Sequence, residues 1–183
     1  MRLLELQRRL HDIERQTQSA LFSFSQARVL FSDENQASMY MALNRHCKKG
    51  AIEQVCKGVW INPLSQYYHN DTRLEELTNL IRPDSYNYVS LESVLSQAGV
   101  ISQQMFAYLT VMTTGASRLV KTKFGTLELT HTKRSLTEVC LHQIPAGRKM
   151  PWADVKTAYR DLKRVGRNVH MVDEEELLEY ESY

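Results

Sequence analysis

Six side chains between residues 35 and 57 are of the types that bind nucleic acid. Lys and Arg suit phosphate groups, whereas short amides and hydroxyls suit the edges of bases. These candidate DNA-binding residues are Asn35, Ser38, Arg45, Lys48, Lys49 and Lys57. Asn35 and Ser38 come early on a predicted helix, where bases are usually read, and Arg45 and Lys49 are later phosphate or guanine contacts. Lys57 falls in a predicted turn that would meet a phosphate or the minor groove.

A second set of cations lies on a helix predicted over residues 153–167. Its buried stripe is predicted to contain Val155, Tyr159, Leu162 and Val165. The cations on the other side are Lys156, Arg160, Lys163, Arg164 and Arg167. Because like charges on one face repel, this face is either solvated and neutralised by the tail acids from Asp173 to Glu176, or it binds an anionic partner. RNA, a nucleotide, DNA phosphate and an acidic toxin surface all fit. If the predicted hairpin packs alongside this helix, the patch is extended by Lys121, Lys123, Lys133 and Arg134.

No pattern in the sequence favours catalysis. His131, Cys140 and His142 match no closed zinc pattern, because a fourth ligand is missing. Cys140 and His142 would point in parallel from one strand face, which argues against a nucleophile pair. Without a Gly-rich phosphate loop or paired acids, we expect no enzyme, no cofactor and no metal.

The helix that would carry the DNA-binding residues is predicted to have one apolar and one polar face. At about 100° per residue, its positions separate into two sectors. The apolar sector contains Met39, Tyr40, Leu43 and Cys47, and the opposite side contains Asn35, Ser38, Ala42, Arg45 and Lys49. The first sector is predicted to be buried and the second to face outward.

The stretch KKGAIEQVCKGVWIN, residues 48–62, predicts the end of this helix and a β-hairpin directly after it. Gly50 stands where a glycine commonly terminates a helix. Residues 51–55 alternate as in a strand, and Gly58 permits a tight turn into a second strand over 59–61. The two glycines are therefore one strand length apart.

A short strand and a short helix are predicted upstream. Leu21, Phe22 and Phe24 could form a short strand, and Ser25 is a good cap for a helix over 26–31. Ser32 and Asp33 are cap candidates for the next helix. The order helix, helix, hairpin predicts a winged helix-turn-helix, although a solvated helix beside an ordinary hairpin is the alternative and winged helices also mediate protein contacts.

An amphipathic helix is predicted over residues 2–18. Its apolar face contains Leu3, Leu6, Leu10 and Ile13. Core packing and a dimer seam both fit this pattern, although two heptads fall short of a coiled coil.

The second half of the chain mixes helix and strand signals. After a linker at 63–72, a helix is predicted at 73–82. The next helix is predicted to be capped by Ser90, with Ser93 at the capping-box position and Gly99 as its stop. Strands are predicted within 105–113 and 117–132 and at 139–144, and a last helix runs from Pro151 to about Val165. The predicted class is α+β. The predicted domains are a winged helix-turn-helix at 1–63, a linker at 64–72 and an α+β domain at 73–183 with a basic helix and an acidic tail.

Charge is unevenly distributed along the 183 residues, whose net charge is only +2. Residues 110–170 hold twelve Lys and Arg against four Asp and Glu, whereas residues 171–183 hold six acids and no base. Three cysteines without CxxC spacing indicate a reducing compartment. The charged opening MRLLELQRRLHDIER is unlike a signal peptide, so a cytoplasmic protein is expected.

Several segments together resemble the AbiEi-family antitoxins of type IV toxin–antitoxin systems. The resembling segments are LNRHCKKGAIEQVCKGVWINP, YNYVSLESVLSQAGVI, TVMTTGASRLVKTKFGTLEL and PWADVKTAYRDLKRVGRNVHMVDEEEL, and they span most of residues 20–178. Each motif is loose, but their order is more specific.

The resemblance implies a winged helix-turn-helix that represses its own operon and a second domain that counters a nucleotidyltransferase toxin in phage defence. The implied partners are double-stranded promoter DNA with repeats and the toxin, without a stable antitoxin–toxin complex. Pairing of two copies on DNA would fit such repeats. Two alternatives stay open: a plain winged-helix regulator whose second domain senses a ligand or dimerises, and an interaction module that binds an acidic toxin directly.

Overall fold

The computed structural model describes residues 2–32, 35–103, 105–139 and 142–181. The chain divides into two compact units, one up to Ile81 and one from Arg82 onward. Helix accounts for 43% and strand for 20%, and the sheets are small, so the α+β class is confirmed at that level. None of the helices within these ranges has the length and apolar character that a membrane crossing requires.

The first unit combines helices with one small antiparallel sheet. Its elements in chain order are α1 (Leu3–Thr17), β1 (Leu21–Ser23), α2 (Phe24–Leu30), α3 (Gln36–Lys48), β2 (Glu53–Cys56), β3 (Val59–Ile61) and α4 (Arg73–Ile81). The strand order is β1-β3-β2, so β3 lies between the other two. Leu21 and Glu53 both pair with Ile61, which sets the register on its two sides.

The core of the first unit confirms the amphipathic pattern of α1. It contains Leu6, Leu10 and Ile13 of α1 together with Phe22, Ala27, Phe31, Met39, Leu43, Ile52 and Trp60. Leu3, the fourth predicted core position, lies in the first turn of the helix and is 43% exposed, so it lies outside the core. Burying a Leu or Phe side chain contributes about 1.5–3 kcal/mol, so these contacts hold α1, α3 and the sheet together.

Two helix starts differ from the sequence predictions. α2 begins at Phe24 rather than residue 26, because Ser23 and not Ser25 is its cap: the Ser23 hydroxyl accepts from Gln26 N, and the Gln26 side chain accepts from Ser23 N. α3 begins at Gln36, capped by Asn35 rather than by Ser32. Asp33, the other predicted cap, lies outside the described residues. A complete capping box satisfies two end groups at once, which favours Ser23 over Ser25.

Helix α4 groups with the first unit, whereas the sequence assigned it to the second domain. Leu77 is buried, and α4 contacts β1 and β3. The Glu76 carboxylate accepts hydrogen bonds from Ser19 Oγ at 2.5 Å and from Asn70 Nδ2 at 2.6 Å. The linker was predicted at residues 64–72, whereas the two units divide between Ile81 and Arg82. The reason is that the Glu76 carboxylate ties α4 to Ser19 and Asn70 of the first unit.

The second unit is a four-stranded mixed sheet with helices. Its elements are β4 (Asn87–Val89), α5 (Glu92–Gln97), β5 (Tyr108–Thr113), β6 (Arg118–Thr122), β7 (Gly125–His131), α6 (Leu136–Val139), α7 (Val155–Val165), a 3-10 turn (Val169–Met171) and α8 (Glu174–Glu181). The strand order is β4-β5-β7-β6, with β5 parallel to β7 and the other pairs antiparallel.

A buried polar network joins α7 to the sheet. Asp161, fully buried on α7, accepts hydrogen bonds from the hydroxyls of Tyr88 at 3.0 Å and Ser90 at 2.9 Å. Arg134 donates to the same carboxylate through Nε at 2.8 Å. An ionised side chain is rarely tolerated without such partners, so this network fixes which face of α7 points inward.

Three further predictions in this unit are corrected. Ser90 does not cap α5, because its hydroxyl is engaged by Asp161, and Leu91 at the cap position supplies no side-chain bond. The strand predicted over 139–144 is replaced by the short helix α6 and an isolated bridge at Gln143, with residues 140–141 outside the described ranges. α7 begins at Val155 rather than 153, since the Asp154 carboxylate accepts from Thr157 N.

Candidate nucleic-acid interface

Helix α3 is delimited by identifiable signals at both ends. The Asn35 side chain accepts from Ala37 N at 2.9 Å, which satisfies one of the free N–H groups at the start. Gly50 comes just after the end with φ of 72°, a conformation that costs glycine little. Basic residues in the last turn interact favourably with the helix dipole. Since its acceptor oxygen is used in the cap, Asn35 is less suited to reading a base than the sequence indicated.

The buried face of α3 differs from the predicted one. The buried residues are Met39, Ala42, Leu43 and His46. Ala42 was predicted to face outward, and Tyr40 was predicted to be buried but is 42% exposed. At about 100° per residue, the inward face is therefore rotated by roughly 60° from the predicted one. Trp60 accounts for the difference, because its ring contacts Tyr40 edge-on and leaves the tyrosine at the margin of the core.

The rotation changes which residues stand at the centre of the outward face. Ser38, Arg45, Lys48 and Lys49 are all exposed, as expected. By the same angular spacing, Ala37, Met41 and Lys48 occupy the centre, with Asn44 beside them. Met41 is 65% exposed, and nothing in the described part of the chain hydrogen-bonds the Asn44 amide. Sequence reasoning missed Asn44 and Met41, and the signal that would have found them is the small apolar Ala42, which fits a close helix contact.

The predicted hairpin is present after α3. β2 and β3 pair antiparallel, and the register shifts between Gln54 and Cys56. This irregularity lets Val55 turn into the core while Lys57 remains exposed at the tip. Gly58 has φ of 82° with open space where a Cβ would stand, so only backbone conformation restricts substitution there. The Lys57 ammonium thus extends from a short, well-defined turn.

A polar notch lies between α2 and the start of α3. It has a volume of about 410 Å³ and is lined by Ser25, Arg28, Val29, Ser32 and Gln36. With its amide oriented to place the oxygen toward Arg28, Gln36 accepts from the guanidinium at 2.9 Å. The notch thus adds a cation and two hydroxyls beside the N-terminus of α3.

In the second unit, four of the five predicted cations of α7 are exposed. They are Lys156, Arg160, Lys163 and Arg164. The inward stripe again differs from the predicted one: Leu162 is buried, but Thr157, Ala158 and Asp161 replace Val155, Tyr159 and Val165, which are half-buried. Lys163 lies over the Tyr159 ring at 4.2 Å, and Arg160 donates to the Thr157 hydroxyl.

The acids that come after α7 do not neutralise its basic face by direct pairing. Among the described residues, the carboxylates of 173–176 form no ion pair with Arg160, Lys163 or Arg164. Asp173 instead accepts from the backbone of Glu175 and Glu176. This set of cations remains available to an anion from outside, as one of the two sequence interpretations requires.

Arg167 does not belong to that exposed face. Its guanidinium donates to Glu92 at 3.0 Å and also pairs with Glu128. Helix α7 ends at Val165, and Gly166 with φ of 74° turns the chain so that Arg167 points toward the sheet. The prediction treated residues 153–167 as one helix, which placed Arg167 on the wrong side.

Within the described ranges, the remaining sequence candidates His131 and His142 take part in contacts other than metal binding. Across the described residues, no cluster of three His, Cys, Asp or Glu is arranged to hold a metal ion. The His131 ring is within hydrogen-bond distance of Gly115 O, and the His142 ring packs on Tyr88 at 4.3 Å. Cys140 lies outside the described residues. Lys121, Lys123 and Lys133 are exposed, whereas Arg134 belongs to the Asp161 network.

No protein-family model matches the chain, and neither the curated proteins nor the solved structures contain a match to it.

Proposed function

We propose that the first unit is a winged helix-turn-helix module that binds double-stranded DNA, and that the protein represses transcription of its own operon. The observation that supports this best is the element order α1-β1-α2-α3-β2-β3 combined with the strand order β1-β3-β2. In that combination α3 keeps one exposed face and is followed directly by the two-stranded hairpin, and a helix with an exposed face has the shape that a major groove admits.

The charges on these elements fit the same role. Arg45, Lys48 and Lys49 are exposed near the end of α3, and Lys57 is exposed at the tip of the hairpin. Each cation that neutralises a phosphate releases condensed counterions, so such contacts dominate affinity and make it depend on salt. The less charged start of α3 offers Ala37, Ser38 and Met41 to base edges.

Charge removal on α3 tests DNA binding directly. Binding of the full chain to a fluorescent duplex containing its own promoter is measured by anisotropy at several salt concentrations. Arg45→Ala with Lys48→Ala should weaken binding at least about tenfold and reduce the salt slope by about 2. The matched control is Arg8→Ala with Arg15→Ala on the exposed side of α1, which should bind as the wild type does. Equal losses in the two double variants would contradict the assignment to α3.

The antitoxin role is the second part of the proposal. It draws on the resemblance of four ordered segments to AbiEi-family antitoxins, and on Arg160, Lys163 and Arg164 of α7, which no described acid of residues 173–176 pairs with. In this proposal the second unit counteracts a nucleotidyltransferase toxin. A toxin gene of that class next to this gene is the expected genomic arrangement.

Charge reversal on α7 separates the two activities. Arg160→Glu with Arg164→Glu should retain promoter binding and lose protection of cells that express the toxin. The matched control is Arg118→Glu on β6 with Arg8→Glu on α1, two exposed cations outside the predicted patch. Full protection by the α7 variant would mean that this basic face is ordinary solvated surface without a role in protection. A tight complex with the toxin on co-purification would instead favour direct binding to an acidic toxin surface.

A further inference from the structure

The second unit contains a cavity that neither DNA binding nor the basic face of α7 uses. Its volume is about 420 Å³, and it lies beside the parallel strands β5 and β7 at the turn after α7. Polar groups form its floor and apolar side chains form its walls. Cavities that combine these two features are the usual sites for small ligands.

The floor of this cavity is a chain of charged groups joined by hydrogen bonds. Glu92, only 3% exposed, accepts from Arg167 at 3.0 Å and from Asn168 Nδ2 at 2.8 Å. Arg167 also donates to Glu128, whose other oxygen accepts from the Tyr108 hydroxyl at 2.5 Å. The two Nη groups of Arg167, the Asn168 amide and the Tyr108 hydroxyl thus donate to the two carboxylates, whereas Arg167 Nε is buried without a hydrogen-bond partner among the described residues.

The charge of the floor is not balanced. Burial opposes ionisation of Glu128, but hydrogen bonds from Arg167 and Tyr108 outweigh it and lower the pKa of the carboxyl. Burial and the hydrogen bond to Glu128 raise the pKa of Tyr108 to about 12, so the phenol keeps its proton at neutral pH. Two carboxylates against one guanidinium leave one negative charge. Each carboxylate oxygen retains a free lone pair, because it accepts only one of these hydrogen bonds.

The walls supply an aromatic face and flexible thioethers. Phe106 lines the cavity although it is 83% exposed, and Met105, Met171 and Ile101 line it as well. A phenyl ring of this kind attracts cations across its face, and methionine adapts to ligands of different shape. The cavity therefore suits a ligand with an apolar body and a positively charged head group.

The backbone around the cavity is held in uncommon conformations. Leu91, Ala107 and Asn168 have φ of 60°, 50° and 54°, and each lies in or next to the lining. A Cβ on Gly125 would approach Ala107 O to 2.1 Å, so that position must stay glycine for the loop to keep its place. Left-handed conformations at non-glycine residues cost free energy and concentrate at functional sites. Their clustering indicates a preformed site rather than an accidental gap.

We propose that this cavity binds a small organic cation, a protonated amine or guanidine carried on an aromatic or aliphatic body. The head would donate to the free lone pairs of Glu128 and to the Tyr108 oxygen, and the body would pack on Phe106 and the methionines. This site is separate from the DNA-binding elements, so it stands whether or not the first unit binds DNA.

The test uses phenethylammonium as the probe and the isotopically labelled full chain in the absence of DNA. Saturable amide shifts should map to the segments around Phe106, Glu128 and Asn168. Phenylacetate has a similar body with the opposite charge, and phenethyltrimethylammonium has the same body and charge without N–H donors. Both should bind at least about tenfold more weakly, because a charged hydrogen bond is lost.

Two variants and one control complete the test. Glu128→Gln should weaken phenethylammonium about tenfold, and Phe106→Ala about threefold. Phe106 is exposed, so its variant keeps the fold even if Glu128→Gln does not. The matched control is Leu119→Ala, an exposed leucine outside the lining, which should bind as the wild type does. Equal binding of phenylacetate, shifts elsewhere in the chain, or no saturation by folded wild-type protein would each overturn the proposal.

Discussion

Asn44 combines an outward position on α3 with an amide that no described residue engages. An asparagine amide can pair with both N6 and N7 of adenine, which no other single base pair reproduces in the major groove. Met41, one turn earlier on the same face, is 65% exposed, and an apolar side chain suits contact with a thymine methyl. For the proposed DNA-binding role we therefore expect a preference for adjacent A·T pairs over a G·C-rich sequence.

Replacing Asn44 should reduce discrimination more than general affinity. We expect Asn44→Ala to cost about 1–3 kcal/mol on the preferred duplex and little on an unrelated one. The measurement is competition between the two duplexes, with 7-deazaadenine and deoxyuridine replacing the contacted bases in turn. Gln7→Ala on the exposed side of α1 is the control. If Asn44→Ala lowers both affinities equally, its role is packing or general positioning.

Two tyrosines should ionise late in an alkaline titration. Burial and then the charge of Asp161 raise the pKa of Tyr88 to about 12, and the pKa of Tyr108 is raised to about 12 as well. A raised pKa means that the folded state holds the proton more tightly. This contribution to stability is thus complete below the usual pKa of about 10 and disappears as the pH passes about 12.

Absorbance at 295 nm measures these ionisations. The wild type should show a component near pH 12 that decreases in Tyr88→Phe and in Tyr108→Phe. A Tyr86→Phe control, at an exposed tyrosine, should leave that component unchanged. Full titration of the wild type near pH 10 while it remains folded would contradict the assignment.

At the scale of elements, α7 depends on a single buried carboxylate. Asp161→Ala would leave the Arg134 guanidinium without its buried partner and the hydroxyls of Tyr88 and Ser90 without their acceptor. We expect a loss of about 3–5 kcal/mol in the free energy of unfolding, measured by urea denaturation. Asp84→Ala is the exposed control.

A paired replacement separates the charge from the packing. Arg134→Met combined with Asp161→Leu should recover much of the loss, because no ion is then buried alone. If the double variant is no more stable than Asp161→Ala, shape rather than charge compensation dominates at this site.

Sequence patterns predicted elements better than the faces that those elements bury. The helices α1, α3 and α7 and the hairpin β2–β3 lie close to their predicted positions, because periodicity, caps and turns act locally. The predicted inward faces of α3 and α7 were wrong because tertiary contacts decide which side of a helix is buried. The ring contact with Trp60 leaves Tyr40 at the margin of the core, and the ion pair with Arg134 allows Asp161 to be buried. A buried aspartate is exceptional, so a hydrophobicity pattern assigns it outward. The cavity at Arg167 could not be foreseen, since its residues are distant in sequence.

At the scale of the whole molecule, the division after Ile81 has a direct test. A fragment that ends at residue 81 should unfold cooperatively and bind DNA as the full chain does, because it keeps Leu77 and the Glu76 hydrogen bonds. A fragment that ends at residue 63 should be less stable by at least about 3 kcal/mol. Calorimetry measures the stability of both fragments. Equal stability would support the domain end at residue 63 that the sequence predicted.

The order β4-β5-β7-β6 has a consequence for how the protein behaves at high concentration. β6 pairs with β7 along one side, and its five residues include Arg118 and Lys121, with Lys123 just beyond its end. Cations along a terminal strand repel the same strand of another molecule and so oppose sheet extension between molecules. The cations of β6 therefore act against fibril formation and precipitation.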